Sequence, residues 1–319
     1  MKTLSLTLLV SLAACGGDMS ATSIDMTPSP FIEGFAPAPV ASGYTRYITP
    51  IIKDIPAGTD VLHCEWLQAP LDHDTYVSAL TEQQSKGGHH IVLYGNKVNE
   101  TVGTSRECTS SDMLSITFVG AGGGEGTNTK EGALPPGVVF LLPKGMSLMS
   151  NTHYINATQA PIDGQGVVDV KYVDFTAGDQ IANLFANVGF NFTIPAQKTS
   201  TYDVVCPMQA DVAFFQFANH MHTWGTAVDT DLVHLDGTIE QIIADSPWLP
   251  EEQFNFRFQT WPIATPKVIR KGETLRTHCT WRNTTGKDMT FPQEMCAGFG
   301  YFLSPTPSAP TCVDGAWSN

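Results

Sequence analysis

The chain has 319 residues, 42% of them hydrophobic; that suffices for two domains, each with its own core, and excludes a single small disulfide-stapled scaffold. Thirty-one acidic residues against 17 basic ones give a formal charge of −14. No Lys/Arg cluster offers the positive face that a phosphate backbone needs, so nucleic acid is excluded as a partner.

The N-terminus runs Met1-Lys2-Thr3, then an apolar stretch from Leu4 to Ala14, then Cys15. This is the pattern of an export signal over residues 1–15. Leu12-Ala13-Ala14-Cys15 resembles the bacterial lipobox, in which cleavage leaves the cysteine to carry lipid. The apolar stretch is too short for a permanent span, and no later one reaches about 18 uninterrupted apolar residues. The expectation is an exported bacterial lipoprotein, held by lipid on Cys15 at the periplasmic face of a membrane or the cell surface, the outer membrane being the expected one. Residues 16–43, rich in Ser, Thr, Pro and Ala, predict a flexible linker.

From Tyr44 onward, short apolar runs alternate with Gly, Pro, Asn and Asp. Runs of strand length are Ile91 to Tyr94, Leu114 to Val119, Val138 to Leu142, Val167 to Val173, Phe185 to Ile194, Val212 to Phe217, Leu232 to Leu235 and Gly298 to Leu303. Many closely spaced strands with little helical periodicity predict an all-β chain of sandwiches. The polar, Pro-initiated stretch Pro195 to Ser200 divides it into domains at 44–198 and 199–319. Gly120 to Gly126 lacks the spacing and the ending of a nucleotide loop and reads as a flexible turn. The N-x-Thr sequons at Asn99, Asn156, Asn191 and Asn283 read as incidental beside a lipobox.

With Cys15 given to lipid, Cys64, Cys108, Cys206, Cys279, Cys296 and Cys312 remain. That is an even set in an oxidising compartment, and by itself it permits fifteen connectivities. No CxxC pair occurs, so zinc-ribbon and thioredoxin-like readings have no support. Among nine histidines, five have suggestive contexts. His220 and His222 stand at i and i+2, the same face of a strand. The neighbours His89 and His90 would face opposite ways on a regular strand, and Lys86-Gly87-Gly88 supplies a bend before them. His153 precedes a tyrosine. His63, His73, His234 and His278 fit no such pattern.

Gly88-His89-His90-Ile91-Val92-Leu93-Tyr94, Thr152-His153-Tyr154-Ile155-Asn156, His220-Met221-His222 and Gln293-Glu294-Met295-Cys296, in this order, resemble the ligand motifs of the copper type II ascorbate-dependent monooxygenases, the peptidylglycine α-hydroxylating and dopamine β-monooxygenase family. The resemblance runs from about Asp60 to Cys312. It implies two tandem antiparallel, jelly-roll-like β-sandwich domains and two copper ions per chain. An electron-transfer copper would be held by His89, His90 and His153, and an oxygen-binding copper by His220, His222 and Met295. Imidazole suits both oxidation states of copper, and a thioether favours Cu(I). The resemblance also implies the bridges Cys64 with Cys108, Cys206 with Cys312 and Cys279 with Cys296, the last fixing Met295. A further first-domain bridge of the family is absent, because Asn96 stands at its first position.

The implied activity is a copper-dependent monooxygenase that uses O2, an external one-electron reductant (ascorbate in the family, an open donor here) and a small-molecule substrate. The alternative is a surface-anchored copper-sequestering lipoprotein without turnover. Where peptidylglycine enzymes anchor a peptide carboxylate, this chain has Ala218, Ala297 and Phe299. The expected substrate is therefore uncharged or aromatic, with Met221 and Phe299 lining its pocket and Arg257 or Arg276 as possible outside sources of a cation.

Overall fold

The apolar runs between the glycines and prolines fold as strands, and the computed structural model describes residues 29–113, 116–126, 134–253, 256–291, 293–304 and 310–318. Cys15 lies outside the described residues. The first half of the chain builds β1 (Thr45–Ile48), β2 (Ile52–Ile55), β3 (Asp60–Gln68), β4 (Thr75–Gln84), β5 (Gly88–Asn96), β6 (Ser105–Glu107), β7 (Ile116–Gly122), β8 (Val138–Leu142), β9 (Ser147–Ile155), β10 (Ile162–Gly164) and β11 (Gly166–Val173). The second half builds β12 (Gln180–Gly189), β13 (Thr199–Pro207), β14 (Val212–His220), β15 (Gly225–Val233), β16 (Ile239–Asp245), β17 (Gln259–Thr260), β18 (Lys267–Ile269), β19 (Thr274–Arg282), β20 (Cys296–Leu303), β21 (Thr311–Val313) and β22 (Ala316–Ser318). Among the described residues, helical structure is confined to Ser110–Met113 and a 3-10 turn at Pro250–Gln253. No helix among them is long and apolar enough to cross a membrane.

An eleven-stranded sheet runs through both halves, eight of its strands in the order β1-β11-β4-β8-β12-β20-β14-β17 with β18 added on β14, β21 on β12 and β22 on β21, and the halves are joined where β8 and β12 pair in parallel. Two smaller sheets cover it: β6-β3-β9-β5-β7 and β13-β19-β15-β16. Between the first of these and the long sheet, Leu67, Ile91, Leu93 and Leu148 meet Val77, Leu80, Phe140 and Val168. In the second sandwich Phe185, Phe214, Phe217 and Phe302 meet Leu232, Ile242 and Leu275. Each side chain so buried contributes roughly 1.5–3 kcal/mol. Strand β19 shows how the sequence places them, since its inner positions Leu275, Thr277, Cys279 and Trp281 are buried and the positions between are half-exposed. The fold is an all-β sandwich architecture, as the sequence predicts.

The three expected disulfides, Cys64–Cys108, Cys206–Cys312 and Cys279–Cys296, are all formed. Asn96, standing where the family has another cysteine, is buried; its amide donates to the Asp112 carbonyl and its oxygen accepts from the Val98 N–H.

Several expectations change. From Phe31 onward the stretch taken as a linker is held to the folded unit, with the Ile32 and Ala38 N–H groups donating to the Gln165 and Gln83 side chains. Strand β12, upstream of the boundary drawn at residue 198, pairs along its length with β20. The run Gly120 to Gly126 is half strand: Gly120, Ala121 and Gly122 pair with Leu93, Val92 and Ile91. Only Gly123, Gly124 and Gly126 take the positive φ of a turn. Two sequons are structural, because Asn156 and Asn283 are buried. Asn156 donates to the Ile55 and Ala160 carbonyls, and Asn283 to those of Ile194 and Lys287. The threonine two places on then donates back to the asparagine oxygen in both cases.

Candidate metal centre

The first histidine group is assembled by a bulge. In the pairing of β5 with β9, Gly88 faces Tyr154 while His90 faces His153, so His89 is one residue in excess. A bulge re-aims side chains, and here it turns two adjacent histidines to the same side. Gly88 must be glycine, because a Cβ there would lie 2.2 Å from that of Gln84. Gln84 also braces the opposite strand, its amide donating to the His153 carbonyl at 3.1 Å. The outcome is a group in which potential ligand atoms of His89, His90 and His153 all lie within 4.8 Å of one another.

Hydrogen bonds select the tautomers. His153 Nε2 lies 3.3 Å from an Asp60 carboxylate oxygen, which can only accept, so this nitrogen carries the proton and Nδ1 keeps its lone pair. The Nδ1 atoms of His89 and His90 face each other at 2.9 Å. Burial, then the neighbouring His153 and His222, push the His89 imidazole down to about 3. Burial likewise holds His90 and His220 well below the ordinary histidine range. At neutral pH these rings are uncharged, the form that binds a metal.

The second group stands at the end of the other sandwich. His220 closes β14 opposite Ala297 of β20, and Met295 enters β20 at the same end. His222 lies two residues past the strand rather than on it, yet its ring is 5.1 Å from that of His220. Its Nδ1 lies 3.3 Å from the Gln293 carbonyl, so it donates there and the ring's lone pair is on Nε2. Buried His220 Nδ1 has no hydrogen-bond partner among the described residues, the kind of orphaned polar atom that a metal ion satisfies. Met295 and Phe299 pack on Ala186, Val188 and Ala297. The rings of Phe256 and Phe299 stand 5.3 and 6.1 Å from His220. Imidazoles and a thioether with an apolar surround are a donor set that fits copper.

The two groups are contiguous, with His89 and His222 ring centroids 5.4 Å apart. Of the residues expected in the pocket, Phe299 is at the site, and Ala218 and Ala297 are buried beneath it. Met221 instead is fully buried in the sandwich interior with Trp248 and Trp281. Arg257 is bonded to Asp245, and Arg276 to Asp231 at 2.6 Å on the solvent side of β19. The four histidines without a motif pair elsewhere: His63 with Ser105, His73 with Asp72, His234 with Glu273 and Glu240, His278 with Asp203.

Sequence reasoning gave Glu294 no role. Its buried carboxylate accepts from the backbone N–H groups of His222 (3.0 Å), Trp224 (2.6 Å) and Met295 (3.2 Å) and from the Trp281 indole (2.9 Å). It thereby ties the histidine segment to the methionine segment. Burial pushes it up to about 7 against these donors. The available signal was a lone acid beside the ligand-type Met295.

Residues 179–316 match the copper type II ascorbate-dependent monooxygenase, C-terminal domain. No curated protein matches the chain. Among solved structures, PNGase F, a glycosylasparaginase from Flavobacterium meningosepticum, overlaps with a TM-score of 0.36 at 12% identity, covering 86% of this chain and 99% of that one. The major capsid protein P2 from bacteriophage PM2 overlaps with a TM-score of 0.35 at 10% identity, covering 83% of this chain and 100% of that one. Neither likeness bears on function. Residues 179–316 are thus a copper type II ascorbate-dependent monooxygenase C-terminal domain.

Proposed function

We propose that this protein hydroxylates an uncharged or aromatic small organic substrate with O2 and an external one-electron reductant, using copper at both histidine groups. The observation that carries this reading is the contiguity of two chemically different donor sets, one of three imidazoles and one beside a methionine, under an apolar wall. Copper bound there supplies the one-electron chemistry and the reaction with O2. The protein's own part is to hold neutral imidazoles in fixed tautomers, and to exclude water and offer the substrate an apolar surface with the half-buried rings of Phe256 and Phe299. A substrate carboxylate would lack a partner there, since the two candidate arginines are engaged by Asp245 and Asp231. An unpaired charge in a dehydrated cleft costs several kcal/mol.

The test is metal analysis with oxygen-consumption assays on the reduced, copper-loaded protein. Two copper ions per chain and substrate-dependent oxygen uptake are expected. A C-terminal-glycine peptide should turn over at least about tenfold less efficiently than its uncharged amide, equivalent to about 1.4 kcal/mol. A preference for the free carboxylate would refute the apolar pocket. Two bound ions without uptake for any substrate would leave a copper-holding lipoprotein.

The lipid anchor is part of the same proposal and rests on the Leu12-Ala13-Ala14-Cys15 sequence. The Cys15→Ser protein should partition into the soluble fraction, and its retention in the membrane fraction would rule the anchor out.

A further inference from the structure

The segment Trp248–Gln253 belongs to the second half of the chain, yet it reaches both histidine groups. At one end the Trp248 indole N–H donates to the His222 carbonyl at 3.1 Å. At the other, Gln253 Oε1 stands 3.2 Å from His89 Nε2. Between them the chain is braced: the Glu252 N–H donates to the Leu249 carbonyl, and the Leu249 N–H to the Glu252 carboxylate. The orientation of the Gln253 amide is fixed independently of His89. Its Nε2 donates to the Pro250 carbonyl at 2.7 Å, an atom that can only accept, so its oxygen is the end that faces the imidazole. Because that oxygen can only accept, His89 Nε2 carries the proton. The lone pair of His89 is then on Nδ1, the nitrogen facing His90. Gln253 is buried, which shelters this hydrogen bond from competing water.

We propose that Gln253 is a positioning residue for the first histidine group: supplied by the second half of the chain, its amide oxygen holds His89 in the Nε2–H tautomer and aims Nδ1 at the ion shared with His90 and His153. This inference rests on the copper reading for its consequence, while the tautomer itself is a property of the metal-free chain. Partners that orient a ligating imidazole in this way change metal affinity by about 10–100-fold when removed. Asp60 plays the corresponding part for His153 from within the first half. The Gln253 contact differs in binding the position of the first group to a turn that also grips His222. A shift of one group is therefore felt by the other.

The experiment has a metal-free and a metal-bound arm. Long-range proton–nitrogen NMR of histidine-labelled, metal-free protein should show His89 protonated at Nε2 and bare at Nδ1. Gln253→Leu should give a mixture of tautomers and weaken copper binding at the first group by about tenfold or more, leaving affinity at the His220, His222 and Met295 group unchanged. Gln253→Glu keeps an acceptor oxygen and should restore the tautomer, a rescue that a purely structural role would not give. Unchanged thermal unfolding of both variants establishes that they fold. His89 found protonated at Nδ1 in the parent protein, or the Leu variant with unaltered tautomer and affinity, would overturn the assignment. The expected tautomer in a protein that binds no copper at the triad would uphold the role of Gln253 and defeat the functional reading instead.

Discussion

Met295→Ala should abolish oxygen chemistry and take the copper count under reducing conditions from two to one, with only a modest loss of stability. The side chain is half-buried and packs on Ala186, Val188 and Ala297. Its truncation should therefore cost less than the roughly 2–5 kcal/mol of a fully buried methionine. The surrounding segment keeps its fastenings, because the Cys279–Cys296 bridge closes directly after it and its N–H still donates to Glu294. The soft ligand is what disappears, and with it the preference of that group for Cu(I). The check is oxygen consumption together with copper analysis and thermal unfolding. A variant that keeps turnover, or that unfolds before it can be assayed, would make Met295 a packing residue.

Much of the candidate site's geometry was legible because its histidines sit in short motifs. His89, His90, His153, His220 and His222 come together as their sequence contexts imply. The means of convergence was only partly visible. Gly87 and Gly88 announce a bend, but the bulge that turns His89 and His90 to one side depends on which residue of β9 pairs with His90, a register set across 63 residues of chain. The i, i+2 argument for His220 and His222 gave the right neighbours for an incomplete reason, since His222 lies beyond the strand and is placed by Glu294. Gln253 could not be read at all: it meets His89 from 164 residues away, and a lone glutamine after two glutamates has no local signature.

The second small sheet has a local sign in the sequence. Ile55-Pro56-Ala57 and Ile194-Pro195-Ala196 each precede the first strand of a small sheet, β3 and β13. Each is tied to a buried asparagine at the end of the central strand of that sheet, Asn156 after β9 and Asn283 after β19. The recurrence of Ile-Pro-Ala and Asn-x-Thr records two copies of one arrangement, with strand orders β3-β9-β5-β7 and β13-β19-β15-β16. One sequon alone carries no such information. The joining of the halves through β8 and β12 depends on non-local pairing and left no mark in composition.

Glu65→Gln should raise stability above neutral pH and leave it almost unchanged in acid. Glu65 is fully buried in β3, where its carboxyl accepts from Thr152 Oγ1 at 2.5 Å, Ser150 Oγ at 3.2 Å and Ser105 Oγ at 3.4 Å. Burial pushes the carboxyl up to about 7 from an ordinary 4.5, and the three hydroxyls only partly oppose it. Between these values the folded chain holds a proton that the unfolded chain has released, so stability falls as pH rises through the window. The stabilisation is complete below about pH 4.5 and gone above about pH 7, a change of about 3 kcal/mol at 1.36 kcal/mol per unit. Glutamine has the shape of the protonated acid and can both donate and accept among the hydroxyls, but it has no charge to bury. Glu294 is pushed in the same direction, also by burial, and because it is present in both proteins its effect cancels in the difference. Denaturant unfolding of the two proteins at pH 5 and pH 8 gives the result directly. Equal stability differences at the two pH values would mean that Glu65 is ionised in the folded chain throughout, with the hydroxyls outweighing burial.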